Sequence, residues 1–151
     1  MPDPVSFDPP LEGRCLCGAV TITLARVAPG VEACHCAMCR RWCSGPFFSL
    51  HGAKHGEFAL SGEEAVHSYP SSEWAERASC ATCGSALWYR FIPGETWAFA
   101  AGLFDLPADW RIGEQIFVDE MPDWAELAAD GPRKTGAQIM AEAKAAGFDF
   151  G

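Results

Sequence analysis

Basic side chains are scarce in this chain: 11 lysines and arginines stand against 20 aspartates and glutamates over 151 residues, for a net charge of −9. That balance weighs against a nucleic-acid partner, because phosphate backbones are held by clustered Lys and Arg. No apolar run approaches the roughly 18 residues of a membrane-spanning helix. The opening "MPDPVSFDPP" has neither the positive charge nor the apolar segment of a secretory leader. Internal repeats and low-complexity tracts are absent too. Together these absences predict a soluble, cytoplasmic protein with no nucleic-acid or membrane partner, and they leave its oligomeric state open.

Against that background the eight cysteines stand out. A chain of this length buries about 68–70% of the surface its unfolded form exposes, so it needs no disulfides to fold. In a reducing compartment, closely spaced cysteines read as metal ligands or catalytic groups rather than as disulfide partners.

Alternating apolar patterns broken by Gly and Pro predict one β-rich domain of short antiparallel strands. Val20, Ile22 and Leu24 alternate with Thr21 and Thr23, which implies one buried and one wet face. Further strands are expected at 46–52, 57–62, 65–69, 86–91, 96–104 and 114–120. One segment carries a helical period: in "TGAQIMAEAKAAG" (135–147) Ile139, Met140, Ala143 and Ala146 recur at three and four, with Gly147 as a stop signal. "DGPRK" (130–134) reads as the linker before it.

The cysteines fall into three sets: Cys15 and Cys17; Cys34, Cys36 and Cys39, with Cys43 beyond; and Cys80 and Cys83. Thiolates about 2.3 Å from one tetrahedral zinc lie about 3.8 Å from each other. Residues i and i+2 of an extended segment point to one side, so Cys15 with Cys17, or Cys34 with Cys36, can converge on one ion. A spacing of i and i+3 converges through a tight turn, where Gly84 after "CATC", and Gly18 after Cys17, supply a positive φ. Disulfides fit worse, because two cysteines of one strand are poorly placed to bond each other. Buried inert thiols are the remaining alternative.

A four-thiolate site needs two pairs, and joining Cys15/Cys17 to Cys80/Cys83 ties the first strand to the middle of the chain. Structural zinc is worth about 10–16 kcal/mol in small domains, enough to hold such a fold. Cys34, Cys36 and Cys39 then form a three-ligand set, the pattern of a reactive site with an open position. If Cys43 joins them, the site is instead a second closed fastener.

The runs "GRCLCGAV" (13–20), "CHCAMCRRW" (34–42), "SSEWAERASCATCGSALWYR" (71–90) and "QIFVDEMPDWAEL" (115–127) carry a resemblance. Over roughly residues 11–128 the chain resembles the glutathione-dependent formaldehyde-activating enzymes, a family that includes centromere-protein-V-like domains. The resemblance implies a mainly β, Mss4-like (β-tent) fold of zinc-stapled antiparallel sheets, here with a short C-terminal helix. It implies two zinc ions as cofactors: a structural one on Cys15, Cys17, Cys80 and Cys83, and a second on Cys34, Cys36 and Cys39, where glutathione chemistry is expected. With that span as the zinc-binding domain at 11–128, the chain is expected to have a flexible arm at 1–10 before it and a linker with helix at 129–151 after it. The family-type reaction is formation or cleavage of the carbon–sulfur bond of S-hydroxymethylglutathione, a carbon–sulfur lyase activity.

Two positions depart from the family pattern. Cys43 stands where a small or hydroxyl residue is usual, and Gln115 where a histidine often precedes "IFV". The expected catalytic set is Cys34, Cys36 and Cys39, with a glutathione sulfur as fourth ligand, deprotonated by the metal. Arg40 and Arg41 are expected to bind the carboxylates of glutathione, the small-molecule thiol partner. Trp42 reads as core, Ser85 as a turn hydroxyl, and His35 as facing away from the metal. Two further readings stand beside the enzyme. One is a non-catalytic zinc-stapled protein-binding module; the other is a redox switch of Cys36 and Cys39.

Overall fold

Among the described residues, period-two alternation and frequent Gly and Pro are realised as eleven short strands, two α-helices and short 3₁₀ turns. The structure, a computed structural model, describes residues 3–150. In chain order the elements are β1 (Val5–Arg14), β2 (Thr21–Val27), β3 (Val31–Cys34), α1 (Ala37–Cys43), β4 (Phe47–Ala53), β5 (Phe58–Ser61), β6 (Val66–Ser72), β7 (Ala75–Cys80), β8 (Ala86–Phe91), β9 (Thr96–Ala100), β10 (Ile112–Ile116), β11 (Arg133–Lys134) and α2 (Gly136–Ala145). The fold is mainly β and of the Mss4-like kind, with cysteine clusters at the strand ends and turns. The chain divides into two compact units, each assembled from two segments.

The larger unit takes the chain up to Pro29 and Ser49–Trp110. It holds an antiparallel sheet β1-β2-β5 and an antiparallel run β4-β9-β8-β7-β6. Ile22 and Leu24 on β2 are fully buried while Thr21 and Thr23 are half-buried, as the alternation predicts. Phe99 on β9 sits at the centre, with Phe58 of the other sheet 4.9 Å away and edge-on and Trp88 at 6.1 Å. Edge-to-face rings of this kind add about 0.5–1.5 kcal/mol to the burial of their apolar area.

The smaller unit takes Gly30–Phe48 and the chain from Arg111 onward. Its strands β11-β10-β3 are parallel, where antiparallel pairing was expected. Parallel pairing requires a long connection between partners, and here the whole stretch from β4 to β9 lies between β3 and β10. The expected linker at 130–134 contains β11, whose approach depends on glycine. A Cβ on Gly131 would overlap Gly113 O, and Gln115 N donates to Pro132 O at 2.9 Å. This division into units runs across the expected boundary at residue 128.

Other expectations shift at their edges. Residues 5–10, expected in a flexible arm, form the first half of β1, pairing Val5 with Val27 and Ser6 with Arg26. Pro9 and Pro10 are tolerated there because β1 is an edge strand whose register shifts between Ser6 and Leu11; residues 1 and 2 lie outside the described residues. The strand expected at 96–104 stops at Ala100 and continues as a 3₁₀ turn, Ala101–Leu103. The strand expected at 114–120 lies at 112–116, ended by the left-handed Phe117 (φ 54°). α2 falls where the period placed it. It is held by a Thr135/Gln138 capping box, by Asp119 Oδ1 accepting from Gly136 N, and by Lys134 bridging Glu114 and Glu142. Met140 on its expected apolar face is 42% exposed, so capping and charge hold this helix more than burial does.

Gly62 and Gly52 share a positive φ, but only at Gly62 would a Cβ overlap the backbone, at Ala19 O. Gly62→Ala is therefore expected to cost about 3 kcal/mol or more, and Gly52→Ala about 1 kcal/mol, in urea or thermal unfolding. Equal losses would show that the approach to Ala19 is not tight.

Candidate metal centres and thiol site

Each cysteine set is built by a local turn. After β1, Gly18 (φ 81°) donates its N–H to Cys15 O at 3.1 Å, and Val20 N donates to Cys15 Sγ at 3.3 Å. After β7, Gly84 (φ 79°) donates to Cys80 O at 2.8 Å. Both glycines adopt the conformation expected from the spacing. Ser85 links the two turns: its Oγ accepts from Leu16 N at 3.0 Å and lies 3.2 Å from Cys83 Sγ, the turn-hydroxyl role expected of it.

The turns bring Cys15, Cys17, Cys80 and Cys83 together, with all four sulfurs within 4.8 Å of one another. Cys15 and Cys17 lie 3.7 Å apart, and Cys17 and Cys80 3.8 Å, close to the separation that tetrahedral thiolate ligation requires. None of the eight cysteines is in a disulfide. Crowding splits their acidities. Ser85, through its hydroxyl and its backbone, pulls Cys83 down to about 5. The Ala19 N–H favours the Cys17 thiolate, but desolvation and the other three cysteines outweigh it and push Cys17 up to about 11. For Cys15, burial is the largest single influence and opposes ionisation, yet Val20 N–H, Cys17 and Cys80 together lower its pKa. Four sulfurs at these distances cannot all ionise without a cation among them, so the donor set fits a metal ion.

The second set lies in the smaller unit. Cys34 ends β3, and Cys36 is the N-cap of α1, its Sγ accepting from Cys39 N at 3.3 Å. This places Cys39 in the first helical turn, and the sulfurs of Cys34, Cys36 and Cys39 lie within 4.8 Å of one another. Cys36, Cys39 and then burial push the Cys34 thiol far above its ordinary value, so a metal ion held by this set would have to displace a tightly held proton. Cys43 does not join them: its Sγ donates to Cys39 O at 3.1 Å and to Gly45 O at 3.6 Å. The closed four-cysteine alternative is therefore not what the geometry presents.

The helix was not foreseen, and it separates the two arginines. Both lie in its last turn. Arg41 is exposed and donates through Nη1 to Ala37 O at 3.4 Å, whereas Arg40 is half-buried, its Nε enclosed without a hydrogen-bond partner. Trp42 packs on Phe47 with ring centroids 4.9 Å apart, a core contact. His35, 2% exposed, shares a 2.9 Å hydrogen bond with Gln115, itself 1% exposed, whose Nε2 has no partner. The departure at 115 thus supplies a buried partner for His35 across 80 residues of sequence, which no local pattern signalled.

Two cysteine clusters on a β scaffold, one of four sulfurs and one of three, each arranged to hold a metal ion, define the class of protein to which the chain belongs. The comparisons specify it further. The family model of the glutathione-dependent formaldehyde-activating enzymes matches residues 10–120, and the chain belongs to that family. It is 34% identical over 133 residues, 87% of this chain and 96% of the relative, to a Schizosaccharomyces pombe protein named as an uncharacterized lyase. A crystal structure of a Rhodobacter sphaeroides protein superposes with a TM-score of 0.57 at 19% identity, covering 82% of this chain and 99% of that one, a likeness of fold. Among the described residues no helix is long and apolar enough to cross a membrane.

Metal content measured by mass spectrometry is expected to stay unchanged in Cys43→Ser, while Cys36→Ser and Cys80→Ser each lose one equivalent. Loss of metal in Cys43→Ser would mean that it is a ligand.

Proposed function

We propose that the chain is a cytoplasmic, zinc-dependent carbon–sulfur lyase that forms and cleaves S-hydroxymethylglutathione and related glutathione adducts of small aldehydes. The observation that carries this reading is the three-sulfur set of Cys34, Cys36 and Cys39 with Cys43 turned away, in a chain of this family. The lyase name of the fission-yeast relative and the absence of disulfides among eight cysteines support it as well.

In the synthetic direction the glutathione sulfur attacks the aldehyde carbon, the carbon–oxygen π bond opens, and the thiol proton ends on the new hydroxyl. Cleavage is the reverse. Cys34, Cys36 and Cys39 would hold the second zinc, and Cys15, Cys17, Cys80 and Cys83 the first. A bound zinc supplies positive charge that keeps a substrate thiol in its reactive thiolate form near neutral pH. The chain's own part is to keep three sulfurs converged: the Cys39 N–H bonded to Cys36 Sγ fixes that thiol and disperses its charge. Arg40 and Arg41, one and two residues beyond Cys39, receive the carboxylates of glutathione. Both sit where the negative end of the helix dipole favours a cation.

Glutathione-dependent loss of formaldehyde should run well above the rate of glutathione alone, and Cys36→Ser should return it to that background. A rate no faster than background for both proteins would rule the reaction out.

A further inference from the structure

A glutamine is buried where the sheet of the smaller unit would ordinarily carry an apolar side chain. Gln115 lies on β10, between β3 and β11, opposite Ala33 on one side and Arg133 on the other, and it is 1% exposed. Its backbone is fixed, with N donating to Pro132 O at 2.9 Å. Its side chain meets His35 Nε2 through Oε1 at 2.9 Å and leaves Nε2 without a partner among the described residues. An amide oxygen only accepts, so the His35 ring donates through its Nε2. An apolar side chain of the same length would fill this space with no donor left over, so packing alone does not account for a glutamine here. What the glutamine adds is an acceptor for His35.

His35 occupies the joint between β3, which ends at Cys34, and α1, which begins at Ala37 with Cys36 as its N-cap. The pairing of β3 with β10 ends where Cys34 lies opposite Ile116. Beyond that point His35 ties the joint to β10 twice: its N donates to Ile116 O at 3.0 Å, and its ring donates to Gln115. In an extended joint residue 35 points away from the side that 34 and 36 share. The backbone bond therefore sets the distance of the joint from the sheet, and the ring bond sets its rotation. Cys39 follows that rotation, because its N–H donates to Cys36 Sγ at 3.3 Å. Spacing brings the three sulfurs to one side, within 4.8 Å of one another. The bond from His35 to Gln115 then keeps that side turned to one point.

We propose that Gln115 is a positioning residue for the three-sulfur set: through His35 it stops the 34–36 joint from turning, and so sets how tightly Cys34, Cys36 and Cys39 hold a metal ion. The proposal rests on the reading of these sulfurs as metal ligands and is independent of the thiol substrate. A ligand frame braced from behind has little freedom left to lose when an ion enters, and removing an outer partner of this kind costs about 10- to 100-fold in metal affinity.

Zinc-loaded protein challenged with a graded chelator, then alkylated and read cysteine by cysteine by mass spectrometry, reports the two sets separately. In Gln115→Met, which keeps the length and removes the acceptor, Cys34, Cys36 and Cys39 should become reactive at chelator concentrations at least about tenfold lower than in the unaltered protein. Cys15, Cys17, Cys80 and Cys83 should be unmoved. Gln115→Glu, which keeps an oxygen in place, should restore most of the lost protection. His35→Phe should match Gln115→Met, and the double variant should be no worse than either. Four results overturn the positioning role: unchanged protection in Gln115→Met, a loss shared equally by both sets, no recovery in Gln115→Glu, or effects of the two single variants that add. So does a Gln115→Met chain that fails to fold, because the residue would then support the unit as a whole. Metal retention is read here and not turnover. A chain that behaves as expected but consumes no formaldehyde would remove the proposed function and leave this assignment standing; unchanged protection in Gln115→Met with the formaldehyde reaction intact would do the reverse.

Discussion

Four sulfurs held within 4.8 Å of one another at Cys15, Cys17, Cys80 and Cys83 are the constraint around which the larger unit is built. The set joins the end of β1 to the turn after β7, two places 63 residues apart that share no strand pairing. Coulomb repulsion among thiolates at 3.7–3.8 Å is severe without a counter-ion. A divalent metal held there would turn that repulsion into attraction, and closing so long a loop would remove much of the freedom of the unfolded chain. Ser85 and the two glycines do the accompanying local work, satisfying backbone groups that the turns would otherwise strand.

The smaller unit uses the same chemistry differently. There a strand end and a short helix, not two turns, bring three sulfurs together, and a helix has a fixed phase. Cys36 as N-cap and Cys39 in the first turn face one point. Cys43, one turn further, lies over the carbonyl of Cys39 and donates to it. Seven residues of helix therefore decide between a closed fastener and a three-ligand set. The same helix phase exposes Arg41 and half-buries Arg40, which makes two adjacent, chemically identical residues unequal.

Much of the fold was legible wherever local chemistry dominated. The strand over 86–91 matches β8 residue for residue, the alternation from Val20 to Leu24 identifies the buried face of β2, and Gly18 and Gly84 take the positive φ that their knuckles demand. What escaped was weakly patterned. α1 has a cysteine for its cap and no acidic residue in its first turn, β7 reads "AERASC" with mixed polarity, and β11 is two residues paired across a glycine contact. β1 was hidden by its prolines, which an edge strand accommodates.

The order and spacing of the cysteines were enough, by themselves, to divide them into closely spaced local sets whose sulfurs can converge. Ligands two or three residues apart converge through backbone geometry that depends on nothing remote. Tertiary structure alone decided that Cys43 stands aside and that β3, β10 and β11 run parallel. It also decided that His35, Gln115, Arg40 and Trp124 gather in one unit. Those outcomes depend on helix phase and on pairing between distant segments, and neither is written in the spacing of any short stretch.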